Sequence, residues 1–242
     1  MKRDLVFLLL ACLALSFTCR AEEEKIPPGI TEYKGRKIAQ TMHYTGAPWL
    51  TRESREREEE CSKLLKALKV KPGDVICDMG CGNGFYSLQL AKMTGDTGKV
   101  IGVDIQQEML SLLQKRAAAA DIKNIELVLG NEANPKLKDG TVDLMFMVDV
   151  YHEFDHPVEM MQAIRKSLKP DGRLVQVEFR SEDKNVPIKT EHKMSKAQVL
   201  KEILPFGFKL IEEYDGLPWQ HVMFFARDDS KLEPVKKENQ QK

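Results

Sequence analysis

Three glycines at alternate positions, Gly80, Gly82 and Gly84, follow directly on the apolar run Val75-Ile76-Cys77-Asp78-Met79, with Cys81 and Asn83 between them. Glycine lets a backbone turn tightly and approach a ligand with no Cβ in the way, and a helix beginning just beyond such a turn offers its free amides to polar groups. A plain glycine turn has no need of the carboxylate at Asp78. One strand later, Asp104 closes Val100-Ile101-Gly102-Val103-Asp104 and precedes Ile105; a carboxylate at that place accepts hydrogen bonds from both hydroxyls of a ribose. The dinucleotide fingerprint GxGxxG would require glycine at position 85, where Phe85 stands, so the close pyrophosphate approach of a nicotinamide enzyme is not encoded. A third group, Val148-Asp149-Val150-Tyr151-His152-Glu153, holds candidates for moving a proton: Asp149, Tyr151 and His152. His152 is the preferred base, because imidazole titrates near neutral pH, and Glu153 is placed to orient it. The competing reading of His152 is an ordinary capping or hydrogen-bonding loop histidine.

These residues need elements to hold them, and the hydrophobic pattern supplies a regular alternation. Arg52 to Lys69 reads as an amphipathic helix, stopped by Lys71-Pro72-Gly73. Strands are expected over Asp74 to Met79, Lys99 to Ile105, Ile125 to Gly130 and Val142 to Val148, with helices over Phe85 to Met93 and Gln107 to Ala120 between them. Asp155-His156-Pro157 starts a helix whose Val158, Met161, Ile164 and Leu168 share one face. After a turn at Lys169-Pro170-Asp171-Gly172 come a strand over Arg173 to Phe179, a helix over Ser195 to Leu204, and strands over Phe208 to Glu213 and His221 to Arg227. The expectation is an α/β fold: a Rossmann-like, doubly wound sheet of about seven strands, mostly parallel with an antiparallel last strand and helices on both faces. Ligands bind such sheets at the carboxyl ends of the strands, near the switch in strand order.

Over about Lys71 to Arg180 the chain resembles the class I S-adenosylmethionine-dependent methyltransferases, through Asp78-Met79-Gly80-Cys81-Gly82-Asn83-Gly84, the acidic strand end Gly102-Val103-Asp104-Ile105, and Lys169-Pro170-Asp171-Gly172-Arg173-Leu174-Val175. The resemblance implies S-adenosylmethionine as cofactor. Its pocket would be shaped by Gly80, Cys81, Gly82 and Gly84, with Asp78 by the methionine portion and Asp104, followed by Ile105, at the ribose. In that family an acidic residue often follows the glycine ending the third strand and meets the adenine. Here Gly130 is followed by Asn131 and then Glu132; Asn131 could accept from the adenine amino group or simply cap its loop. The resemblance also sets the end of the fourth strand beside the methyl donor, so Asp149, Tyr151 and His152 become candidates for the acceptor site. Similarity is greatest to methyltransferases of the quinone- and sterol-modifying type, which implies a small, partly apolar acceptor. Two other classes compete: a noncatalytic module that binds adenosyl ligands, and an NAD-dependent oxidoreductase, which Phe85 opposes.

The 242 residues divide into a leader (1–21), an extended lead-in (22–51), the methyltransferase domain (52–228) and a charged tail expected to be disordered (229–242). Lys2 and Arg3, the apolar run Leu5 to Phe17 and Cys19-Arg20-Ala21 read as a signal peptide cleaved after Ala21, for export to a bacterial periplasm or the exterior. An uncleaved anchor is the alternative, and membrane contact is expected only if the leader is retained or lipidated. Within the lead-in, Met42 to Leu50 is either a lid over the acceptor pocket or a plain packing arm. With 37 basic and 37 acidic residues there is no global field to favour nucleic acid, and the charged run Arg52 to Glu60 reads as a solvated segment. No metal is expected: Cys77 and Cys81 fall in a strand and a glycine turn, with no His/Cys pair to complete a set. Oligomeric state is not encoded legibly.

Overall fold

A strand covered on both faces of a parallel sheet cannot alternate apolar with polar residues, and the central runs here are apolar nearly throughout. The computed structural model describes residues 26–235. The expected leader, residues 1–21, and its expected cleavage after Ala21 lie outside them. The lead-in forms a small hairpin, β1 (Glu32–Tyr33) and β2 (Arg36–Lys37), then a 3-10 segment over Tyr44–Thr51. Helices α1 (Arg55–Glu59) and α2 (Cys61–Ala67) precede β3 (Val75–Met79), α3 (Ser87–Thr94), β4 (Lys99–Asp104), α4 (Gln107–Ala119), β5 (Ile125–Leu129) and β6 (Val142–Val148). Then come α5 (Pro157–Ser167), β7 (Leu168–Arg180), the short β8 (Lys193–Met194), α6 (Lys196–Ile203), β9 (Phe208–Tyr214) and β10 (Gln220–Arg227).

The main sheet runs in the order β5-β4-β3-β6-β7-β10-β9, with β8 paired to β7. Strands β3 to β7 pair in parallel, and β10 is antiparallel to both of its neighbours. The expected mostly parallel sheet with an antiparallel last strand is thus present. Successive side chains of each strand enter different cores. Ile76, Leu144 and Phe146 pack with Leu64, Leu68 and Leu90 of the α2 and α3 layer, while Cys77, Met145 and Met147 pack with Met161, Ile164 and Val199 of the α5 and α6 layer.

Five expectations change in detail. The single helix expected over Arg52 to Lys69 breaks at Glu60, whose φ is +49°. In an unbroken helix Glu59 and Cys61 would point roughly 200° apart; the break lets both turn inward, and both are buried. For the same reason the run Arg52 to Glu60 is not simply solvated: Arg55 and Glu59 are 6% and 1% exposed. In α5 the inward stripe begins at Pro157 and continues through Met160, Met161 and Ile164, leaving Val158 38% exposed. The expected turn at Lys169 to Gly172 is taken into β7, which starts at Leu168. The tail expected to be disordered from position 229 packs against the domain as far as it is described: the Ser230 hydroxyl and Lys231 amide donate to Asp171 Oδ1, each at 3.0 Å, and the Val235 amide donates to the Leu210 carbonyl.

The lead-in is tied down across the carboxyl ends of the strands. Arg36 donates to both carboxylate oxygens of the buried Glu202 in α6, at 2.7 and 3.0 Å, and to the His152 carbonyl at 2.9 Å. Gln106 accepts from the Tyr44 amide and donates to the Met42 carbonyl. Removing one member of a buried, hydrogen-bonded ion pair strands the other charge. Arg36→Ala is therefore expected to lower the unfolding free energy by about 3 kcal/mol, measured by urea denaturation. A change within ordinary surface-mutant scatter would show that this clasp does not hold the lead-in.

Candidate functional site

A cavity of about 920 Å³ opens at the carboxyl ends of the central strands, where the order β4-β3-β6 makes β3 the point from which the chain winds both ways. One end lies over β3 and β4 and is lined by Gly80, Gly82, Asp104, Ile105 and Met109. The other lies over β6 and β7 and is lined by Asp149, His152, Glu153, Phe179 and His192. Lead-in residues Ile38 to Met42, with Trp49 and Leu50, form a further wall.

At the first end, Asp104 Oδ2 accepts from the Gly82 amide and Oδ1 from the Gln106 amide, both at 2.9 Å. An ionised carboxylate accepts at about four sites, so each oxygen retains capacity for a ligand hydroxyl. Burial raises the Asp104 carboxyl, while the Gln106, Gly82 and Ile105 amides pull it back down. Gly80 and Gly82 have φ of +68° and +52°. A Cβ at Gly80 would lie 2.4 Å from Val150 Cγ2, and one at Gly82 would lie 2.6 Å from Leu50 Cδ1. Both positions are left-handed and closely approached, which is why glycine occupies them.

The other residues expected at this end are placed differently. Gly84 lies against Leu113 and does not line the cavity: its Cβ would stand 2.1 Å from Leu113 Cδ1, so it serves the loop's packing. Cys81 turns its side chain inward to Leu110 and Leu113, and its amide is taken by the Val103 carbonyl at 2.9 Å. It is a packing residue, its small thiol fitting beside the bare face of Gly102. Asp78 is buried beneath the loop, accepting from Ser87 Oγ at 2.5 Å, and does not line the cavity. Asn131 accepts from the Ala133 amide through Oδ1 and lines a second, smaller cavity of about 370 Å³ beside Pro27; it is the loop cap, and its neighbour Glu132 lines the main cavity instead. Phe85, at the position a nicotinamide enzyme reserves for glycine, carries the Arg55 guanidinium 4.3 Å from its ring centroid.

At the second end, Asp149 follows β6 at φ +52°, a conformation a non-glycine residue adopts at a cost. Its Oδ2 accepts from Gln220 Nε2 at 2.7 Å, while Oδ1 is buried with no hydrogen-bond partner among the described residues. Burial, reinforced by Glu59 and Glu178, raises its carboxyl well above the usual range. His152 is buried, with Nδ1 2.6 Å from Glu178 Oε2 and Nε2 3.1 Å from His192 Nδ1. Burial opposes protonation of His152, but the Glu178 carboxylate outweighs it and holds the imidazole above its ordinary pKa. Burial pushes Glu153 up to about 7, against the pull of His152. Tyr151 is not at the site: the 3-10 turn over Tyr151–Glu153 points its ring into the core against Phe154, with Arg36 5.4 Å from its centroid. The turn sends the Tyr151 ring into the core and brings His152 and Glu153 to the cavity.

Sequence reasoning missed Glu178, His192, Arg55 and Glu59. The Arg55 and Glu59 spacing of four residues was a visible signal for a helical ion pair, observed at 2.9 Å. Glu178 and His192 carry no local signal, because only the pairing of β7 with β6 and β8 brings them to His152.

The family described as Methyltransferase domain matches residues 70–232. Demethylmenaquinone methyltransferase of Lactobacillus johnsonii is 34% identical over 113 residues, 46% of either chain. The protein of that name in Bacillus cereus strain ATCC 10987 is 25% identical over 158 residues, 65% of either chain. An uncharacterized protein of Streptomyces fradiae is 35% identical over 114 residues, 32% of its length. The chain thus spans less than two thirds of these relatives. Among solved structures, a SAM dependent methyltransferase from Aquifex aeolicus is similar with a TM-score of 0.73 and 25% identity, covering 77% of this chain and 100% of that one.

The buried Asp78 generates a pH dependence. Burial raises it from the ordinary 3.8 to about 6; Ser87 opposes the rise and Asp104 adds to it. The folded chain then holds this proton more tightly than the unfolded chain. Stability from the group is complete below pH ~4 and is lost as pH climbs to ~6. Asp78→Asn keeps an acceptor for Ser87 and removes the titration. The fall in unfolding free energy over that window is expected to shrink by about 3 kcal/mol, read from urea denaturation at stepped pH. An unchanged fall would mean that Asp78 is not the titrating group.

Proposed function

The chain belongs to the family described as Methyltransferase domain, and from that premise we propose that it transfers a methyl group from S-adenosylmethionine to a small, partly apolar acceptor bound in the same cavity. The observation that carries this reading is the pairing of Asp104 with the glycine bend. A carboxylate already ordered by two backbone amides, with acceptor capacity left over, suits the vicinal hydroxyls of an adenosyl ribose. A second feature fits the same ligand: the unpartnered Asp149 Oδ1 offers a buried acceptor to a cationic group, and the amino acid portion of this cofactor carries an ammonium. A volume of about 920 Å³ leaves room for an acceptor beside it.

When bound, S-adenosylmethionine supplies a methyl group on a positively charged sulfur, open to in-line displacement. Of the protein's own groups, Gly80 and Gly82 leave the backbone bare for close approach, and Asp104 fixes the ribose end. Val148, Val150 and Phe179 give the acceptor an apolar wall. The lead-in contributes Ile38, Trp49 and Leu50 to the same wall. His152, which lines the cavity, is the group to receive the acceptor's proton, and the Glu178 carboxylate at Nδ1 balances the resulting charge. Both named demethylmenaquinone methyltransferases described above are relatives of this chain, and a small acceptor agrees with this lining.

Calorimetric titration tests the first step. The full chain is expected to bind S-adenosylmethionine and S-adenosylhomocysteine at one site. Asp104→Ala should weaken both by at least ~100-fold, since two hydrogen bonds to a charged group are lost at about 1.5–3 kcal/mol each. Circular dichroism checks that the variant remains folded. Absence of binding by the native chain, or equal binding by a folded variant, would overturn the assignment.

A further inference from the structure

We propose that His152, Glu153 and His192 form a site for one divalent transition-metal ion of the zinc type at the acceptor end of the cavity. The ligand atoms of these three residues lie within 4.8 Å of one another, and all three line the cavity. Metal–nitrogen bonds of about 2.0–2.1 Å set two tetrahedral ligands roughly 3.4 Å apart; His152 Nε2 and His192 Nδ1 are 3.1 Å apart. The two nitrogens already stand near coordination spacing, and a Glu153 carboxylate oxygen lies within 4.8 Å of both.

The surroundings favour coordination over a simple contact between two rings. Glu178, fully buried on β7, accepts at His152 Nδ1 and so fixes the tautomer whose Nε2 lone pair faces His192. Gln176 Nε2 in turn donates to the other Glu178 oxygen at 2.8 Å. A carboxylate behind a histidine, itself held by a further hydrogen bond, is the arrangement that orients metal-binding imidazoles. Two imidazoles and a carboxylate suit zinc and its neighbours better than magnesium or calcium. Three protein ligands leave a fourth position open to the cavity, the pattern of catalytic rather than structural sites.

This inference deepens the proposed methyl transfer and rests on it for the site's purpose: it assigns an oxygen nucleophile to the acceptor. An acceptor hydroxyl at the open position would ionise near neutral pH, its proton passing to solvent. In the metal-loaded protein His152 is then a ligand, and the acidification otherwise assigned to it as a base passes to the cation.

The test needs neither cofactor nor acceptor. Full chain stripped with a chelator is equilibrated by dialysis against zinc chloride, and cobalt(II) serves as an optical probe. One zinc per chain is expected, with cobalt giving the intense visible bands of a four-coordinate nitrogen and oxygen site. His192→Ala should weaken zinc binding at least tenfold, whereas His43→Ala, an exposed histidine at the start of the 3-10 segment, should bind as the native chain does. Glu178→Gln, acting through His152, should lower affinity by about 10–100-fold; thermal melts establish that each variant is folded. No stoichiometric zinc in the native chain, or equal retention by folded His192→Ala, overturns the site. Calorimetry of the stripped chain with S-adenosylhomocysteine separates the two claims: a chain that binds that ligand but takes up no zinc defeats only the metal site, and a chain that takes up zinc but does not bind that ligand defeats the methyltransferase reading.

Discussion

The site depends on one carboxylate bridging two strand ends. Asp104 stops β4 and reaches back to the Gly82 amide, while its other oxygen takes the Gln106 amide at the start of α4. The loop after β3, the end of β4 and the head of α4 are thereby locked to a single side chain. The lock requires the left-handed turn at Gly82, because any Cβ there would meet Leu50 and any ordinary residue would resist that φ. Gln106 extends the same network to the lead-in through Tyr44 and Met42, so the cavity's floor and part of its wall are fixed from one point.

Much of this was legible in the sequence because it is local. A buried strand running into alternating glycines, and an acidic residue ending the next strand, are patterns spanning a few residues, and their physical causes are close backbone approach and parallel-sheet geometry. The strands from β3 to β10, apart from the two-residue β8, could likewise be read from apolar runs, and their boundaries moved by only a residue or two except for the early start of β7. The lead-in was harder. Its hairpin and 3-10 segment have no sustained periodicity, and their place is set by contacts distant in sequence, such as Arg36 with Glu202 and Asn83 with the Ala47 carbonyl.

The residues assigned amiss share a cause. Cys81, Gly84 and Tyr151 belong to the right motifs, but a motif does not tell which way each member points. Cys81 and Gly84 face α4, and Tyr151 faces the α5 layer. Asn131 satisfies its own loop, as asparagine after a strand commonly does. The misread run Arg52 to Glu60 shows the converse: charge in sequence was taken for exposure, whereas Arg55, Glu59 and Arg52 form a buried ion-pair group stacked on Phe85 and Trp49. Burying charge is tolerable when it is paired and hydrogen-bonded, and the four-residue spacing of Arg55 and Glu59 marks the pair without marking its burial.

The central claim is that the glycine bend and Asp104 together hold an adenosyl ligand. A crystal structure of the chain grown with S-adenosylhomocysteine tests it most directly. The account predicts density along Gly80 and Gly82 with both ribose hydroxyls on the Asp104 carboxylate. Ligand density elsewhere in the cavity, with Asp104 bonded only to Gly82 and Gln106, would contradict it.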